Sequence, residues 1–298
     1  MCKFSASPLA SRADHIIYTA MTNTLLSFGH GYSARALGRL LLPRGWTVIG
    51  TTRGDDPVAD CSEYAKWPGT DMADALSKAT HILMSAAPDE TGDPVLNALG
   101  DTLAELPQLK WVGYLSTTGV YGDHGGAWVD EATPLTPSTI RGKHRVLAES
   151  QWQKQSLPLH IFRLAGIYGP GRGPFAKVRN GTARRIIKPN QIFSRIHVDD
   201  IAQTLAASIN RPNPGAIYNL CDDDPAPPQD VIAYAAELLG LPIPPAQDFD
   251  TADMTPMARS FYAESKKVRN DRIKTELGVH LKYPDYKTGL RALVEQET

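Results

Sequence analysis

The stretch that decides the fold is an apolar run that breaks into glycines and then resumes at helical spacing: Thr24-Leu25-Leu26-Ser27-Phe28-Gly29-His30-Gly31-Tyr32-Ser33-Ala34-Arg35-Ala36-Leu37. This order is typical of a strand, a tight turn and a helix. Such a turn aims several backbone N–H groups and a helix N-terminus at one point, where the charge of a pyrophosphate is stabilised. Glycines also mark ordinary strand-to-helix turns, so the motif alone leaves that alternative open.

The residues of this turn have predicted parts in holding a dinucleotide. Gly29 permits the sharp turn, Gly31 lets a ligand approach the backbone, and Ala34 keeps the helix close to the strand. Tyr32 and Ser33 stand at the start of the helix, and we expect them to contact the same ligand. A second apolar strand follows one helix later, as a βαβ nucleotide-binding half requires.

Length and composition favour one large α/β domain, or a main domain with a smaller partner. The chain has 298 residues, 42% of them hydrophobic, and a formal net charge of −1, which provides no global field for nucleic acid or an anionic membrane. Cys2, Cys61 and Cys221 are too far apart to indicate a metal site or a disulfide framework, and they fit a reducing cytoplasm. No apolar run reaches the roughly 18 residues that span a bilayer.

The second strand, at residues 46–51, predicts which nucleotide the fold prefers. It is followed by Thr52 and Arg53, where NAD-selective folds commonly carry an acidic residue for the ribose hydroxyls. An arginine accommodates a 2′-phosphate instead, so the sequence favours NADP. Asp55 and Asp56 lie close enough to leave NAD open, and a solvated loop charge is the alternative for the arginine.

Small residues at a later strand end are expected to border the same ligand. The apolar run at residues 81–85 ends in Ala86, Ala87 and Pro88, whose small side chains leave room for a cofactor. Asp71 either caps the helix that follows it or reaches an adenine amine.

Five segments in the rest of the chain carry a family resemblance: Leu115-Ser116-Thr117-Thr118-Gly119-Val120-Tyr121-Gly122; Asp130-Glu131 with Pro134; Arg163-Leu164-Ala165-Gly166-Ile167-Tyr168-Gly169-Pro170-Gly171-Arg172; Arg195-Ile196-His197-Val198-Asp199-Asp200-Ile201; and Ile217-Tyr218-Asn219-Leu220. Taken together, from about residue 23 to the end, they resemble the extended short-chain dehydrogenase/reductase superfamily, often called NAD-dependent epimerase/dehydratases.

The resemblance implies an α/β fold in two parts. Residues 23–165 form a Rossmann-type, doubly wound parallel sheet that binds NAD(P). Residues 166–298 form a smaller C-terminal part that covers the substrate, and strand 216–220 returns from it to the sheet. Residues 1–22 are predicted to be a disordered extension or a start assigned too early, with the folded protein beginning near Met21.

The resemblance also implies a partial catalytic set. Thr117 falls on the hydroxyl that orients the reacting oxygen of the substrate, and Lys143 on the lysine of the family's Tyr-x-x-x-Lys pair, which binds the nicotinamide ribose. Gly166 follows the strand whose exit the family places against the nicotinamide amide. Four residues before Lys143 stands Thr139, so the usual general acid/base is absent. An aliphatic hydroxyl cannot be tuned towards neutrality as a phenol can.

The missing tyrosine leaves three alternatives. Tyr121 or Tyr168 supplies the proton, water or Lys143 relays it, or the protein binds a cofactor without this chemistry. The glycine turn and the missing tyrosine together resemble the atypical branch of the superfamily, some of whose members bind NADP as sensors. The sequence therefore predicts either an oxidoreductase or epimerase-like enzyme, or a catalytically silent redox sensor.

The second half of the chain indicates the class of substrate and a partner. Six basic residues and no acidic one stand between Arg172 and Lys188, which favours an anionic small molecule such as a sugar nucleotide or a carboxylate; a solvated helix face is the alternative. In the family, the helix that corresponds to residues 142–153 often pairs with its copy in a dimer. This helix is therefore expected either to form a homodimer contact or to cover the sheet as an ordinary helix.

Three further expectations concern local structure. The pair Asp199-Asp200 precedes an apolar helix and is predicted to cap it rather than to bind a metal. Residues 246–258 are predicted to be a mobile flap over the pocket, and residues 260–277 to be basic and helical.

Overall fold

The computed structural model describes residues 23–297. The strands, in chain order, are β1 (Thr24–Phe28), β2 (Thr47–Thr52), β3 (Glu63–Lys66), β4 (His81–Met84), β5 (Trp111–Thr117), β6 (Trp128–Val129), β7 (Leu159–Leu164), β8 (Gly166–Tyr168), β9 (Arg185–Ile187), β10 (Arg195–His197), β11 (Ile217–Leu220), β12 (Ala246–Asp248) and β13 (Lys267–Val268). The α-helices are α1 (Tyr32–Leu41), α2 (Ala73–Lys78), α3 (Pro94–Ala104), α4 (Ile140–Gln153), α5 (Phe175–Arg179), α6 (Val198–Asn210), α7 (Pro228–Leu238), α8 (Pro256–Ser260), α9 (Asp271–Thr275) and α10 (Tyr286–Glu297). The expectations for residues 1–22, with a start near Met21, lie outside the described residues.

Seven strands form the central sheet in the order β11-β7-β5-β4-β1-β2-β3, and every neighbouring pair is parallel. The strand order changes direction between β1 and β4, the switch point at which a doubly wound sheet opens a crevice. The predicted fold class is therefore confirmed.

The two faces of the sheet are covered by different apolar clusters. Leu25 and Val48 pack with residues of α1 and α6 on one face, whereas Leu26 and Ile82 pack with residues of α2 and α3 on the other. Neighbouring residues of a strand point to opposite faces, so a strand covered on both sides reads as a continuous apolar run. That requirement explains the uninterrupted apolar segments of the sequence.

A third apolar cluster lies in the second half of the chain. It includes Tyr168, Phe175, Ala235 and Leu290. Three two-stranded parallel pairs accompany it, β8 with β10, β9 with β12 and β6 with β13. The strand expected at residues 216–220 is β11, which pairs with β7 at the edge of the main sheet.

The predicted helix at residues 260–277 is wrong for most of its length. The segment contains a 3-10 turn, the short strand β13 and only five α-helical residues in α9. Ser265 and Lys266 are buried and bond to other loops, the lysine Nζ donating to the Gly122 carbonyl (2.7 Å). Contacts distant in sequence therefore outweigh the local helical preference.

Asp199 and Asp200 lie in the first turn of α6, where their charge suits the helix dipole, but neither is its N-cap. His197 is the capping residue, and its Nδ1 accepts from the Asp199 N–H (3.1 Å). The buried Asp200 carboxylate accepts from the backbone N–H groups of Lys282 (2.7 Å) and Tyr283 (3.1 Å). It thus holds α6 to the segment that precedes α10.

Candidate cofactor and substrate cleft

A cleft of about 720 Å³ opens at the carboxyl ends of three central strands. Ser85 follows β4, Thr117 ends β5 and Leu164 ends β7, and all three line the cleft. Ligands of doubly wound sheets bind at this edge because the loops there converge around the switch point. Within residues 23–297, no helix is both long and apolar enough to cross a bilayer.

The glycine turn brings the backbone of two strand ends together. Gly29 has a φ of +76°, and a Cβ there would lie 2.9 Å from the Ala86 nitrogen. Its own N–H donates to Thr51 Oγ1 (2.9 Å), which fixes the turn to the end of β2. Only glycine satisfies both the left-handed backbone and this close approach.

Helix α1 presents its N-terminus to the cleft. The cap position is Gly31, no side chain caps it, and the first turn carries no acidic residue. Tyr32 and Ser33 of this turn line the cleft, and the tyrosine hydroxyl donates to the Pro170 carbonyl (2.9 Å). The Arg172 guanidinium lies 5.6 Å from the centre of the same ring. Uncapped N–H groups beside an arginine form a suitable anion site.

The hydroxyl of Thr117 can serve both the backbone and a ligand in the cleft. Its Oγ1 accepts from the Gly119 N–H (3.2 Å), which closes the short turn after β5. Because that bond uses a lone pair, the hydroxyl proton remains available to a ligand oxygen.

Four arginines line the cleft: Arg141, Arg145, Arg172 and Arg195. Arg145 Nη1 donates to Tyr114 Oη (3.1 Å) and to the Leu115 carbonyl (2.6 Å), so its guanidinium is fixed against the end of β5. Glu264 is the acidic residue of the lining, and it accepts from Lys266 (2.7 Å). The lining therefore has an excess of positive charge.

A buried polar network lies beneath the cleft. Glu149 and Arg163 form a bidentate pair (2.7 and 3.2 Å), and the carboxylate also accepts from Ser116 Oγ (2.5 Å). Arg163 donates to Tyr121 Oη (2.9 Å), which donates in turn to Asn219 Oδ1 (2.7 Å). The network connects α4 with β5, β7 and β11.

The hydroxyls of the two tyrosines proposed as proton donors both bond to other groups of the protein. Tyr121 is fully buried in the network and does not line the cleft; burial raises its pKa to about 12. Tyr168 lines the cleft, but its hydroxyl donates to the Asp285 carbonyl (3.4 Å) and lies where a Cβ on Gly289 would be. Burial, followed by the charge of Asp222, raises the pKa of Tyr168.

Comparison with known proteins gives relatives over nearly the whole chain. Protein YeeZ of Escherichia coli K12 is 30% identical over 283 residues, covering 86% of this chain and 95% of that protein. A conserved protein of unknown function from Silicibacter pomeroyi superposes with a TM-score of 0.90 at 66% identity, covering 92% of this chain and 99% of that one. No protein-family model matches the chain.

A further solved structure names the family. A putative NAD-dependent epimerase/dehydratase from Methylobacillus flagellatus has a TM-score of 0.69 at 26% identity, covering 93% of this chain and 99% of that one. The chain belongs to the NAD-dependent epimerase/dehydratase group of the short-chain dehydrogenase/reductases. The human epimerase family protein SDR39U1, solved with NADPH, has the same fold, with a TM-score of 0.71 at 20% identity over 91% of this chain and 99% of that one. The resemblance stated from the sequence is confirmed.

In this short-chain dehydrogenase/reductase, the start of α4 lies at the cleft. Thr139 is the N-cap, and its Oγ1 accepts from the Gly142 N–H (3.1 Å). Lys143 is exposed and does not line the cleft. Arg141 and Arg145 do line it, and they have the four-residue spacing of the family's Tyr-x-x-x-Lys pair. The lining of the cleft at this helix start therefore includes Thr139, Arg141 and Arg145 but not Lys143.

The other predicted cofactor residues fall into two groups. Gly166 lines the cleft, as do Tyr32 and Ser33 at the start of α1, whereas Gly29, Gly31 and Ala34 do not. Residues on the β2 and β4 loops lie outside its lining: Thr52, Arg53, Ala86, Ala87 and Pro88. Asp71 accepts from the Ala73 N–H (3.0 Å), the local capping contact that was one of its two expected roles.

Proposed function

We propose that the protein is an NAD(P)-dependent oxidoreductase or epimerase-like enzyme that acts on a small anionic substrate. The observation that carries the proposal is that the uncapped start of α1 and the hydroxyl of Thr117 open into the same cleft. The first suits a pyrophosphate and the second a reacting oxygen, so a cofactor and a substrate would meet there. Gly29, Gly31, Ser33 and the backbone at Gly166 would hold the cofactor.

The charges around β2 favour NADP over NAD. Arg53 is exposed, and within residues 23–297 no carboxylate pairs with it. The Asp55 carboxylate, which could otherwise bind ribose hydroxyls, forms an ion pair with Lys66 (2.6 Å). An unpaired arginine beside a neutralised aspartate suits a 2′-phosphate.

The arginines of the lining favour an anionic substrate. Arg141 and Arg145 have no carboxylate partner within residues 23–297, so a ligand anion would supply one. A guanidinium does not release a proton near neutral pH, so these residues orient and stabilise charge rather than act as acids. Thr117 would donate to the reacting oxygen, and water is the proton source that this arrangement leaves.

A second candidate is a catalytically silent NADP(H) sensor. It is favoured by the hydroxyls of Tyr32 and Tyr168, the tyrosines of the cleft lining, because both donate to backbone carbonyls. A cleft without a free phenol would bind the nucleotide and turn nothing over.

Helix α4 also has features of a homodimer contact. Ile140 and Leu147 are 71% and 39% exposed, and seven residues place them on one face of the helix. Sedimentation of the protein and of Leu147→Glu tests this, since a charge on that face would dissociate a dimer.

The first experiment is calorimetric titration of the protein with NADPH and NADH, with native mass spectrometry of any copurified ligand. Micromolar binding supports the proposal, and no binding of either nucleotide contradicts it. Enzyme and sensor are then separated by mixing NADPH-loaded protein with a fractionated pool of anionic metabolites and following NADPH absorbance. Oxidation that is lost in Thr117→Val identifies an oxidoreductase. Because an epimerase returns the hydride and leaves the absorbance unchanged, each fraction is also compared by chromatography before and after mixing, and a new isomer that is absent with Thr117→Val identifies an epimerase. Unchanged absorbance together with unchanged metabolites in all fractions supports the sensor.

A further inference from the structure

Three of the four cleft arginines already have partners. Arg195 donates to two backbone carbonyls (2.9 and 3.0 Å) and is attracted by the carboxylate of Asp222. Arg172 lies over the ring of Tyr32, beside the turn proposed for the pyrophosphate. Arg145 donates to Tyr114 Oη and to the Leu115 carbonyl, so Arg141 remains for an anion of the substrate.

An exposed aromatic ring stands beside one of these arginines. Phe261 lines the cleft, yet its side chain is 52% exposed. The Arg141 guanidinium lies 4.8 Å from the centre of that ring, and Phe193 is a second aromatic residue in the lining. A ligand with a flat apolar face would remove this surface from water, and aromatic pairs prefer stacked or edge-to-face contact.

The size of the cleft limits the substrate. Its volume of about 720 Å³ must hold the nicotinamide end of the cofactor as well as the substrate. Pockets of about 300–1,000 Å³ hold a single drug-sized ligand. The space left beside a nicotinamide therefore suits a small acid better than a second nucleotide.

We propose that the substrate is a small aromatic carboxylate, with its ring against Phe261 and its carboxylate on the Arg141 guanidinium. The assignment rests on the proposed function, because the nicotinamide must occupy the inner part of the cleft. A planar guanidinium binds a carboxylate through two parallel hydrogen bonds, which aligns the ring beside it.

The test is calorimetric titration of the NADP⁺-saturated protein with trans-cinnamate, and with 3-cyclohexylpropanoate as an acid that lacks the flat ring. We expect cinnamate to bind more tightly. Phe261→Leu, which keeps apolar bulk, should weaken cinnamate by about two- to tenfold. Arg141→Met should weaken it by about ten- to a hundredfold.

Trp128→Ala is the matched control. This ring is also exposed (46%) and also lies beside basic side chains, Lys267 and Arg269, but outside the cleft lining. Its replacement should leave cinnamate affinity unchanged. Equal affinity for both acids, an unchanged affinity in Phe261→Leu, or tighter binding of uridine monophosphate than of cinnamate would overturn the inference.

The same titrations separate this inference from the proposed function. NADPH is titrated into Phe261→Leu and Arg141→Met, and unchanged affinity places their effect on the acid alone. If NADPH does not bind the unmodified protein, the proposed function fails. Cinnamate is then titrated into the protein without cofactor, where the same pattern among the variants supports the ring and carboxylate contacts and its absence overturns them.

Discussion

Glu149 of α4 and Arg163 of β7 form a bidentate ion pair whose side chains are only 2% and 3% exposed. Burial lowers the pKa of Arg163, but the hydrogen bonds and charge of Glu149 outweigh it, so the pKa is raised. The same carboxylate accepts from Ser116 at the cleft. The pair therefore fixes the helix that carries Arg141 and Arg145 to the edge of the sheet.

Removal of one partner should be costly because the other charge stays buried. We expect Glu149→Ala to lower the free energy of unfolding by about 3–5 kcal/mol, measured by urea denaturation. The double variant Glu149→Leu with Arg163→Met should recover part of this loss, since it leaves no unpaired charge. Asp74→Asn, which breaks an exposed pair with Lys78, is the control and should leave the urea midpoint unchanged. A small effect of Glu149→Ala would contradict the structural role of the pair.

The cofactor preference depends on Arg53. Because only NADP carries the 2′-phosphate, Arg53→Ala should weaken NADPH by about ten- to a hundredfold and leave NADH almost unchanged. Calorimetry with both nucleotides measures this. Arg44→Ala, at another exposed arginine just after α1, controls for the loss of a positive charge. Equal losses for the two nucleotides would remove the argument for NADP.

The position of Arg145 at the cleft makes its own prediction. Arg145 lines the cleft four residues after Arg141 and is fixed against Tyr114 and the Leu115 carbonyl. Arg145→Met should therefore weaken NADPH by about tenfold, as expected for loss of a charged hydrogen bond. Lys143→Met, two residues earlier on an exposed position, should leave the dissociation constant unchanged. A larger loss of NADPH affinity in Lys143→Met than in Arg145→Met would support the role that the resemblance implies for Lys143.

The glycine turn, the strand ends and the order of the main elements follow from the sequence because each depends on local patterns. Gly29, with its positive φ, needs no distant partner to be recognised. Thr139 precedes the helix expected at residues 142–153 and is the N-cap of α4, a position that threonine favours. Which side chains of that helix border the cleft depends on how α4 packs against the sheet, and one sequence does not show that packing.

The buried network had a single local signal. Arg163 stands in a buried strand whose other residues, His160 apart, are apolar, and a charged residue there requires a buried partner. Nothing in one sequence indicates that the partner is Glu149 on α4, because pairs so far apart meet only in the folded chain. Phe261 was hidden for the same reason, since the segment after α8 lacks the helical structure expected for it.

Asp222, two residues after β11, should make stability depend on pH. It is 1% exposed, and neither carboxylate oxygen has a hydrogen-bond partner within residues 23–297. Burial raises its pKa from 3.8 to about 8, against the lowering effect of Arg195 and with a further rise from Asp224. Between those two values the folded protein holds a proton that the unfolded chain has released, so stability from this group is lost as pH rises.

Asp222→Asn removes this titration while keeping the shape of the side chain. The free energy of unfolding of the variant, minus that of the unmodified protein, should rise from acidic pH to about pH 8, with a slope of at most about 1.4 kcal/mol per pH unit. Urea denaturation across that range measures the difference. Asp101→Asn, at an exposed position of α3, is the control for the loss of one carboxylate. A difference that is constant with pH, or that falls, would mean that Asp222 is ionised in the folded protein. Its carboxylate would then pair with Arg195 and fix β10, at the wall of the cleft, by an ion pair.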